Sequence, residues 1–230
     1  MAPNARTRMQ RWWRQIRRFR VQRAHLPGLA LLGAVLLATA ITMHRPTLRS
    51  ADETPARTVT AVKIGGPFRL IGPNGEAMTQ DSFPGKYLLV FFGYTYCPDV
   101  CPTTLSNVAD AMQSLGPLAD GLQPLFITVD PQRDTPQVMK DYVAHFDTRI
   151  VPLTGSADAI AAAEKAYRVY AAPYRTGEDP DSYLMDHSAV LYLMDPQGAF
   201  VTTLDFSSSG SDMAEALKPY LKSSLSRSAS

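Results

Sequence analysis

The sequence predicts an α/β sandwich with a mixed sheet, preceded by one transmembrane helix. A continuous apolar run of strand length at residues 87–92 and a second, largely apolar segment at 122–130 predict buried strands, which alternate with segments of helical periodicity. Two further apolar runs at 188–194 and 199–204 are joined by a tight turn, as in an antiparallel hairpin. An uncharged run of 18 residues, 26–43, is long enough to cross the core of a bilayer.

Basic and acidic residues are distributed unevenly along the chain. The first 25 residues contain eight arginines and no acid, which leaves 15 of the 23 basic residues against all 21 acidic residues in the remainder. The remainder is therefore mildly acidic, and this argues against a nucleic-acid-binding surface. Since 45% of the residues are hydrophobic, the chain has the composition of a globular protein.

The basic N-terminus also predicts the direction of the membrane span. Positive flanks stay on the cytoplasmic side, so the C-terminal part of the chain is expected beyond the membrane. We predict a basic cytoplasmic-side segment at 1–25, the anchor at 26–43 and a polar linker at 44–63. The folded domain is expected at 64–222, followed by a Ser-rich tail at 223–230.

Two alternatives to an uncleaved anchor remain open. Residues 38–40, Ala-Thr-Ala, resemble a signal-peptidase site, and an Arg-rich segment without acids also precedes import into an organelle. The length of the charged region and of the apolar run favours the anchor. The expected location is the bacterial cytoplasmic membrane with the domain in the periplasm, and the alternative is the mitochondrial inner membrane with the domain in the intermembrane space.

Turn residues and periodicity predict the elements in the first half of the domain. Pro-Asn-Gly at 73–75 separates two short alternating runs and predicts a hairpin. A buried strand is expected at 87–92. Pro102 suits the first position of a helix, in which apolar residues recur at helical spacing until Gly116 ends it. The second buried strand is expected at 122–130.

The second half of the domain continues this alternation. Thr135 and Pro136 predict the start of a helix. The apolar side of this helix is formed by Val138, Met139, Tyr142, Val143 and Phe146. The remaining elements are a short strand at 150–153, a helix after Ser156, a hairpin of strands 188–194 and 199–204, and a last helix at 212–221. This order of strands and helices is that of a thioredoxin-like fold.

Both cysteines of the chain lie in the segment YTYCPDVCP, where three residues separate Cys97 from Cys101. If Cys101 lies at the start of the helix, Cys97 lies about one turn earlier and both sulfurs can reach one point, where the helix N-terminus stabilises a thiolate. Such a pair can bind a soft metal ion, exchange with another thiol or form a reversible disulfide. A purely structural disulfide across so small a loop would stabilise the fold little.

Two thiolates make an incomplete metal site, so a third ligand is expected among the four histidines. His25 and His44 flank the predicted span, and His145 lies in a predicted helix. His187 lies where a loop enters a strand. In a thioredoxin-like fold, the loop before the terminal hairpin faces the loop that contains the cysteines. His187 is therefore the best candidate for the third ligand.

Four segments, in this order and at these separations, resemble the Sco/SenC family of copper proteins: FFGYTYCPDVCPTTL, ITVDPQRDTP, PLTGS and LMDHSAVLYLMDPQG. The resemblance covers about residues 64–222. It implies that Cys97, Cys101 and His187 bind copper, as Cu(I) or Cu(II). It also implies a membrane-tethered, thioredoxin-like copper chaperone that helps to build the dinuclear copper centre of cytochrome c oxidase subunit II.

Acidic residues near the expected ligands are candidates for tuning the site. Asp99 and Asp186 are adjacent to ligands, and Asp130 ends a predicted strand. Asp130, Arg133 and Asp134 can support the cysteine loop through hydrogen bonds. Turn and cap chemistry also explains these three residues, and we favour this simpler interpretation.

Two rival functions remain open, so the sequence does not decide whether the protein is an enzyme. A thiol-disulfide oxidoreductase would use Cys97 and Cys101 to reduce cysteines of subunit II or of another exported protein. A thiol peroxidase would need Thr95 and Arg133 beside Cys97. The spacing of three residues and the presence of His187 favour copper binding. The expected partners are the membrane, subunit II, and either another copper chaperone or a thioredoxin-like reductant, and no nucleic acid is expected.

Overall fold

The computed structural model describes residues 63–179 and 182–228. These residues belong to one compact unit, Thr60–Ser230. The predicted basic segment, the predicted anchor at 26–43 and nearly all of the predicted linker lie outside the described residues. No helix within the described ranges combines the length and the apolar character needed to cross a membrane.

Strands and helices alternate along the described residues, as predicted. The strands are β1 Leu70–Ile71, β2 Ala77–Met78, β3 Tyr87–Gly93, β4 Leu122–Thr128, β5 Val151–Leu153, β6 Ala171–Arg175, β7 Tyr183–His187, β8 Val190–Met194 and β9 Phe200–Asp205. The α-helices are α1 Val100–Leu115, α2 Pro136–Val143, α3 Ala157–Tyr167 and α4 Gly210–Ser228. Two short 3₁₀ helices lie at Gln80–Ser82 and Gly116–Gly121.

Five of the strands form the central sheet, in the spatial order β5-β4-β3-β8-β9. β3 pairs in parallel with β4, and β4 pairs in parallel with β5. β8 is antiparallel to both of its neighbours, β3 and β9. Every residue of β3 is buried, because this strand lies in the middle of the sheet and is apolar on both faces. The predicted α/β sandwich with a mixed sheet is therefore confirmed.

Helices cover both faces of this sheet. Neighbouring residues of a strand point to opposite faces, so Phe91 and Phe92 mark the two faces. The ring of Phe91 lies 5.9 Å from that of Phe126, which in turn lies 5.9 Å from Tyr142 of α2. On the other face, the ring of Phe92 lies 5.4 Å from Tyr167 at the end of α3. Helices α2 and α3 therefore enclose the sheet between them.

The two hairpins predicted from turn residues are present. β1 and β2 pair in antiparallel fashion across a turn in which Gly75 has a φ of +85°, a conformation that favours glycine. β8 and β9 are joined by the turn that begins at Asp195, whose side chain accepts hydrogen bonds from the main-chain N–H groups of Gln197 and Ala199. The first of these strands begins at Val190, two residues later than predicted.

A third hairpin, formed by β6 and β7, was not predicted. It is a separate two-stranded sheet whose register runs from Ala171 opposite His187 to Arg175 opposite Tyr183. Its residues are half-buried or exposed, and Pro173 interrupts the sequence pattern of a strand. His187 is therefore the last residue of a strand, and the predicted position in a loop before a strand was wrong.

Three helix predictions need smaller corrections. α1 begins at Val100, so Pro102 is its third residue rather than its first. Val138 is 38% exposed, because α2 turns Met139 and Val143 to the core instead. α4 continues to Ser228 and includes most of the predicted Ser-rich tail, since serine lowers helix propensity only moderately.

Candidate metal centre

Strand β3 ends at Gly93, directly before the cysteine loop, which comprises residues 94–99. A Cβ atom on Gly93 would lie 2.7 Å from the Cys101 sulfur and 2.8 Å from the ring of Phe126. Nonbonded atoms do not approach so closely, so glycine is required for the first turn of α1 to contact the end of the sheet. This contact determines how deeply the Cys101 sulfur is buried.

The two sulfurs occupy different environments. Cys101 is fully buried and Cys97 is half-buried, and both are free thiols. The main-chain N–H of Cys101 donates a hydrogen bond to the Cys97 sulfur at 3.4 Å, and the main-chain N–H of Asp99 does so as well. The start of α1 therefore presents two N–H groups to the Cys97 sulfur, an arrangement that stabilises a thiolate.

The hydrogen bond between the two thiols separates their pKa values. The Cys101 thiol donates to Cys97 and lowers the pKa of Cys97 to about 3, with a smaller contribution from His187 and against the opposing effect of burial. The same bond, together with burial, raises the pKa of Cys101 far above its ordinary value. At neutral pH the metal-free pair therefore contains one thiolate and one thiol. A metal ion that binds both sulfurs must displace the Cys101 proton.

His187 reaches the cysteines from the end of β7. Its Nε2 atom lies 3.7 Å from the Cys101 sulfur. Its Nδ1 atom lies 3.2 Å from the carbonyl oxygen of Ser188, which can only accept a hydrogen bond. Nδ1 therefore donates to this carbonyl, and Nε2 is the ring nitrogen that faces the sulfurs. The ring of Tyr94 lies edge-on to the imidazole, with the centroids 5.8 Å apart.

The donor atoms of Cys97, Cys101 and His187 lie within 4.8 Å of one another. Three donors placed about 2.2 Å from one ion in a trigonal arrangement lie about 3.8 Å apart, so small movements would close the site around a metal. Two sulfurs and one imidazole nitrogen suit Cu(I) and Zn²⁺, whereas hard cations prefer oxygen ligands. The residues present therefore fit a copper ion.

The other predicted residues are distributed as follows. The side chains of Asp99 and Asp186 are exposed, and Asp99 contacts the site through its main chain. Asp130 is buried, with 3% exposed. His145 is exposed on the C-terminal side of α2 and is not one of the three clustered residues. His25 and His44 lie outside the described residues.

Asp134 supports the cysteine loop through a buried carboxylate. It accepts hydrogen bonds from the main-chain N–H of Thr95 at 3.1 Å, from the Thr95 hydroxyl at 2.5 Å and from the Thr128 hydroxyl at 2.6 Å. Burial raises the pKa of Asp134, although these hydrogen bonds oppose the shift. Turn and cap chemistry alone therefore does not explain Asp134. The DPQRDTP segment indicated that Asp134 could support the cysteine loop, but it did not indicate that Thr95 is the partner.

Asp130 and Arg133 form an ion pair that reaches the β6–β7 hairpin. The Arg133 Nε donates to Asp130 at 2.5 Å, and its Nη1 donates to the main-chain carbonyl of Tyr183 at 3.0 Å. The Tyr183 hydroxyl donates to the other oxygen of Asp130 at 2.9 Å. Because Arg133 pairs with Asp130 and the Thr95 hydroxyl donates to Asp134, both groups required by the peroxidase hypothesis have other partners.

The SCO1/SenC family profile matches residues 56–222, well over half of the chain. The chain belongs to the SCO1/SenC family. Within this family, Protein sco1 of Schizosaccharomyces pombe is 36% identical over 204 residues, which cover 84% of this chain and 78% of the relative. The family predicted from the cysteine and histidine segments is confirmed.

Solved Sco structures have the same fold. ScoI of Bradyrhizobium japonicum with copper bound is 46% identical, with a TM-score of 0.64 over 68% of this chain and 99% of its own. Yeast Sco1 with copper bound is 38% identical, with a TM-score of 0.65 over 70% of this chain and 90% of its own. These similarities confirm the predicted thioredoxin-like fold.

Proposed function

We propose that this protein is a membrane-anchored copper metallochaperone that binds copper through Cys97, Cys101 and His187. The observation that carries the proposal is the convergence of three donor atoms within 4.8 Å, although Cys101 and His187 lie 86 positions apart in the sequence. Membership of the SCO1/SenC family and the similarity to two Sco proteins with copper bound support copper as the metal.

The protein's own groups suit transient holding of copper as cargo. Cys97 is already a thiolate and can bind copper without losing a proton, whereas Cys101 must release one. The set of two sulfurs and one nitrogen leaves coordination positions open for an incoming ligand. Cys97 and His187 are half-buried and Cys101 is buried, so a recipient protein would approach on the side of Cys97 and His187.

The proposed recipient is cytochrome c oxidase subunit II, whose dinuclear copper centre the protein would help to assemble. Family membership supports this role. Another copper chaperone is the proposed donor, and a thioredoxin-like reductant would keep Cys97 and Cys101 reduced. The proposed anchor is the apolar run at 26–43, in the bacterial cytoplasmic membrane with the domain in the periplasm. The mitochondrial inner membrane is the alternative.

A thiol-disulfide oxidoreductase is the second candidate function, and one observation favours it. Cys97 is a stabilised thiolate hydrogen-bonded to a second thiol, which is the arrangement of an attacking and a resolving cysteine. In this role the protein would reduce a disulfide of subunit II, and Cys97 and Cys101 would become the new disulfide. His187 would be dispensable for that reaction.

Transfer of copper to subunit II separates the two functions. Full-length, anaerobically reduced protein carrying one equivalent of Cu(I) is mixed with the reduced, metal-free subunit, the two proteins are separated, and the copper content of each is measured. We expect transfer by the wild type and by the control His145→Ala, and at least about a tenfold loss in His187→Ala. Little copper transfer by any of the three proteins, with reduction of an oxidised subunit that depends on the cysteines and not on His187, would favour the oxidoreductase.

A further inference from the structure

The strand that carries His187 belongs to a hairpin outside the central sheet. β6 and β7 hydrogen-bond only to each other among the described strands. A two-stranded hairpin is marginally stable by itself, so its position depends on side-chain contacts with the rest of the domain. Met185 and Ala171 pack against the hydrophobic core near the His187 end. The other end of β7 starts at Tyr183, where the contacts are polar.

Arg133 holds this other end of the hairpin. Its guanidinium donates to the Tyr183 carbonyl at 3.0 Å and lies 3.7 Å from the centroid of the Tyr183 ring. Asp130 completes the contact, since it accepts from Arg133 through one carboxylate oxygen and from the Tyr183 hydroxyl through the other. The hairpin is thus attached to the segment after β4 through both its main chain and a side chain.

The same guanidinium also faces the cysteine loop. It lies 4.6 Å from the centroid of the Tyr96 ring and 6.0 Å from that of Tyr94. Tyr96 immediately precedes Cys97, and the Tyr94 ring contacts the imidazole of His187. Arg133 therefore lies between the two segments that supply the candidate ligands and contacts an aromatic ring from each.

The environment of Arg133 lowers the stability of the fold, so stability alone does not explain an arginine at this position. Its side chain is 16% exposed, and its Nη2 atom is buried with no hydrogen-bond partner among the described residues. Burying a charged donor without a partner lowers stability, and an apolar side chain of similar volume would avoid this cost. A guanidinium offers something that an apolar residue does not, namely directed N–H groups and a planar face on one rigid group.

We propose that Arg133 is a positioning residue for the metal centre. It holds the β6–β7 hairpin in the position in which the His187 Nε2 atom lies beside the two sulfurs. The proposal deepens the proposed copper-binding function and rests on it for its metal-dependent consequences. Arg133 does not bind copper itself. Without it, Cys101 keeps its position on α1 and Cys97 its position in the cysteine loop, whereas the imidazole is no longer held beside them.

The first test measures copper coordination in full-length Arg133→Met, with Arg149→Met as the matched control. Arg149 also forms an ion pair with a nearby aspartate, Asp147, but it is more exposed and is not one of the three clustered residues. X-ray absorption of the Cu(I) form should show two sulfurs in both variants, but loss or disorder of the nitrogen ligand only in Arg133→Met. Cu(II) affinity should fall by about 10–100-fold, as for other residues that orient a metal ligand. A retained nitrogen and unchanged affinity would overturn the proposal.

A double-mutant cycle separates positioning from general destabilisation. In a His187→Ala background, Arg133→Met should weaken Cu(II) binding by less than about twofold, because the ligand that Arg133 positions is already absent. Equal losses in both backgrounds would mean that Arg133 acts on the fold rather than on His187. If Arg133→Met does not fold, Arg133→Lys replaces it, since lysine keeps the charge but not the planar group.

Hydrogen exchange of the metal-free protein tests the same proposal without copper. Main-chain amides of residues 171–175, apart from Pro173, which has no N–H, and of residues 183–187 should exchange at least about tenfold faster in the Arg133 variant, with β3 and β4 unchanged. Unchanged exchange in the hairpin would overturn the proposal. If the wild type itself fails to bind copper with two sulfurs and one nitrogen, the proposed function fails, and the exchange result then decides the role of Arg133 by itself.

Discussion

At the scale of single residues, the start of α1 gives two neighbouring cysteines opposite protonation states. Cys97 accepts hydrogen bonds from the Cys101 thiol and from main-chain N–H groups, whereas Cys101 is buried against Gly93 and keeps its proton. Cys97 is half-buried and Cys101 is buried, so Cys97 is both the more accessible and the more reactive sulfur of the pair. The chemistry of the site is asymmetric before any metal or partner binds.

This asymmetry predicts the alkylation behaviour of the reduced, metal-free protein. Iodoacetamide should modify Cys97 first, at a rate that is nearly constant between about pH 5 and pH 8, because a pKa of about 3 keeps this sulfur ionised throughout. An unperturbed cysteine, with a pKa of about 8.5, would react about tenfold faster for each pH unit over this range. Peptide mass spectrometry assigns the modified residue, and a tenfold rise per unit at Cys97 would contradict the prediction.

Glu164 provides a pH-dependent contribution to stability. It lines a cavity of about 400 Å³ between α3 and the β6–β7 hairpin, and burial raises its pKa from 4.5 to about 7. Between these two values the folded protein retains a proton that the unfolded chain releases, so stability falls as the pH rises through this window. In Glu164→Gln the melting temperature should decline less between pH 5 and pH 7 than in the wild type.

The control for this comparison is Glu215→Gln. Glu215 is exposed and pairs with Lys218 on the surface of α4, so its removal should leave the pH dependence nearly as in the wild type. Differential scanning calorimetry of the metal-free proteins gives the melting temperatures. Parallel pH profiles for the wild type and Glu164→Gln would contradict the assignment.

At the scale of secondary-structure elements, the contact between β3 and α1 determines where the cysteines lie. Gly93→Ala would place a Cβ atom 2.7 Å from the Cys101 sulfur and 2.8 Å from Phe126. We expect a loss of about 1–3 kcal/mol in the free energy of unfolding, as for overpacked cores, and weaker metal binding because α1 must move. Gly66→Ala is the control, since its Cβ would meet Ala166 at 3.4 Å. Equal urea denaturation midpoints for the two variants would contradict the expectation.

The elements with a strong local pattern were predictable from the sequence. β3 and β4 are apolar on both faces, and the hairpin turns contain glycine at 75 and 198 in conformations that favour it. The β6–β7 hairpin was not predictable, because Pro173 interrupts β6 and neither strand shows a buried alternation. Side chains from other parts of the domain hold this hairpin in place, so its own sequence lacks the apolar alternation that predicts a strand.

The candidate site was predictable for a related reason, and only in part. Two cysteines and four histidines left few combinations, so the three clustered residues could be chosen from their types and positions. The supporting contacts were not accessible in this way. Asp134 lies 39 residues from Thr95, and Arg133 lies 50 residues from Tyr183, so the sequence around DPQRDTP indicated only a turn and a helix start.

At the scale of the whole molecule, the proposed function requires the domain to lie beyond the membrane. The predicted anchor at 26–43 lies outside the described residues, so its test is independent of the fold. An alkaline phosphatase fusion after residue 230 should be active in bacterial cells, whereas a fusion after residue 25 should be inactive, because basic residues stay on the cytoplasmic side. Activity of the second fusion with inactivity of the first would contradict the predicted orientation.

X-ray absorption of the full-length, anaerobically reduced protein carrying one equivalent of Cu(I), compared with His187→Ala, shows whether the three residues bind copper together. In the wild type we expect one tightly held copper with two sulfur ligands and one nitrogen ligand. In His187→Ala the nitrogen and much of the affinity should be lost, while both sulfurs remain. Weak copper binding in both proteins, or a nitrogen ligand that persists without His187, would show that Cys97, Cys101 and His187 do not form the copper site.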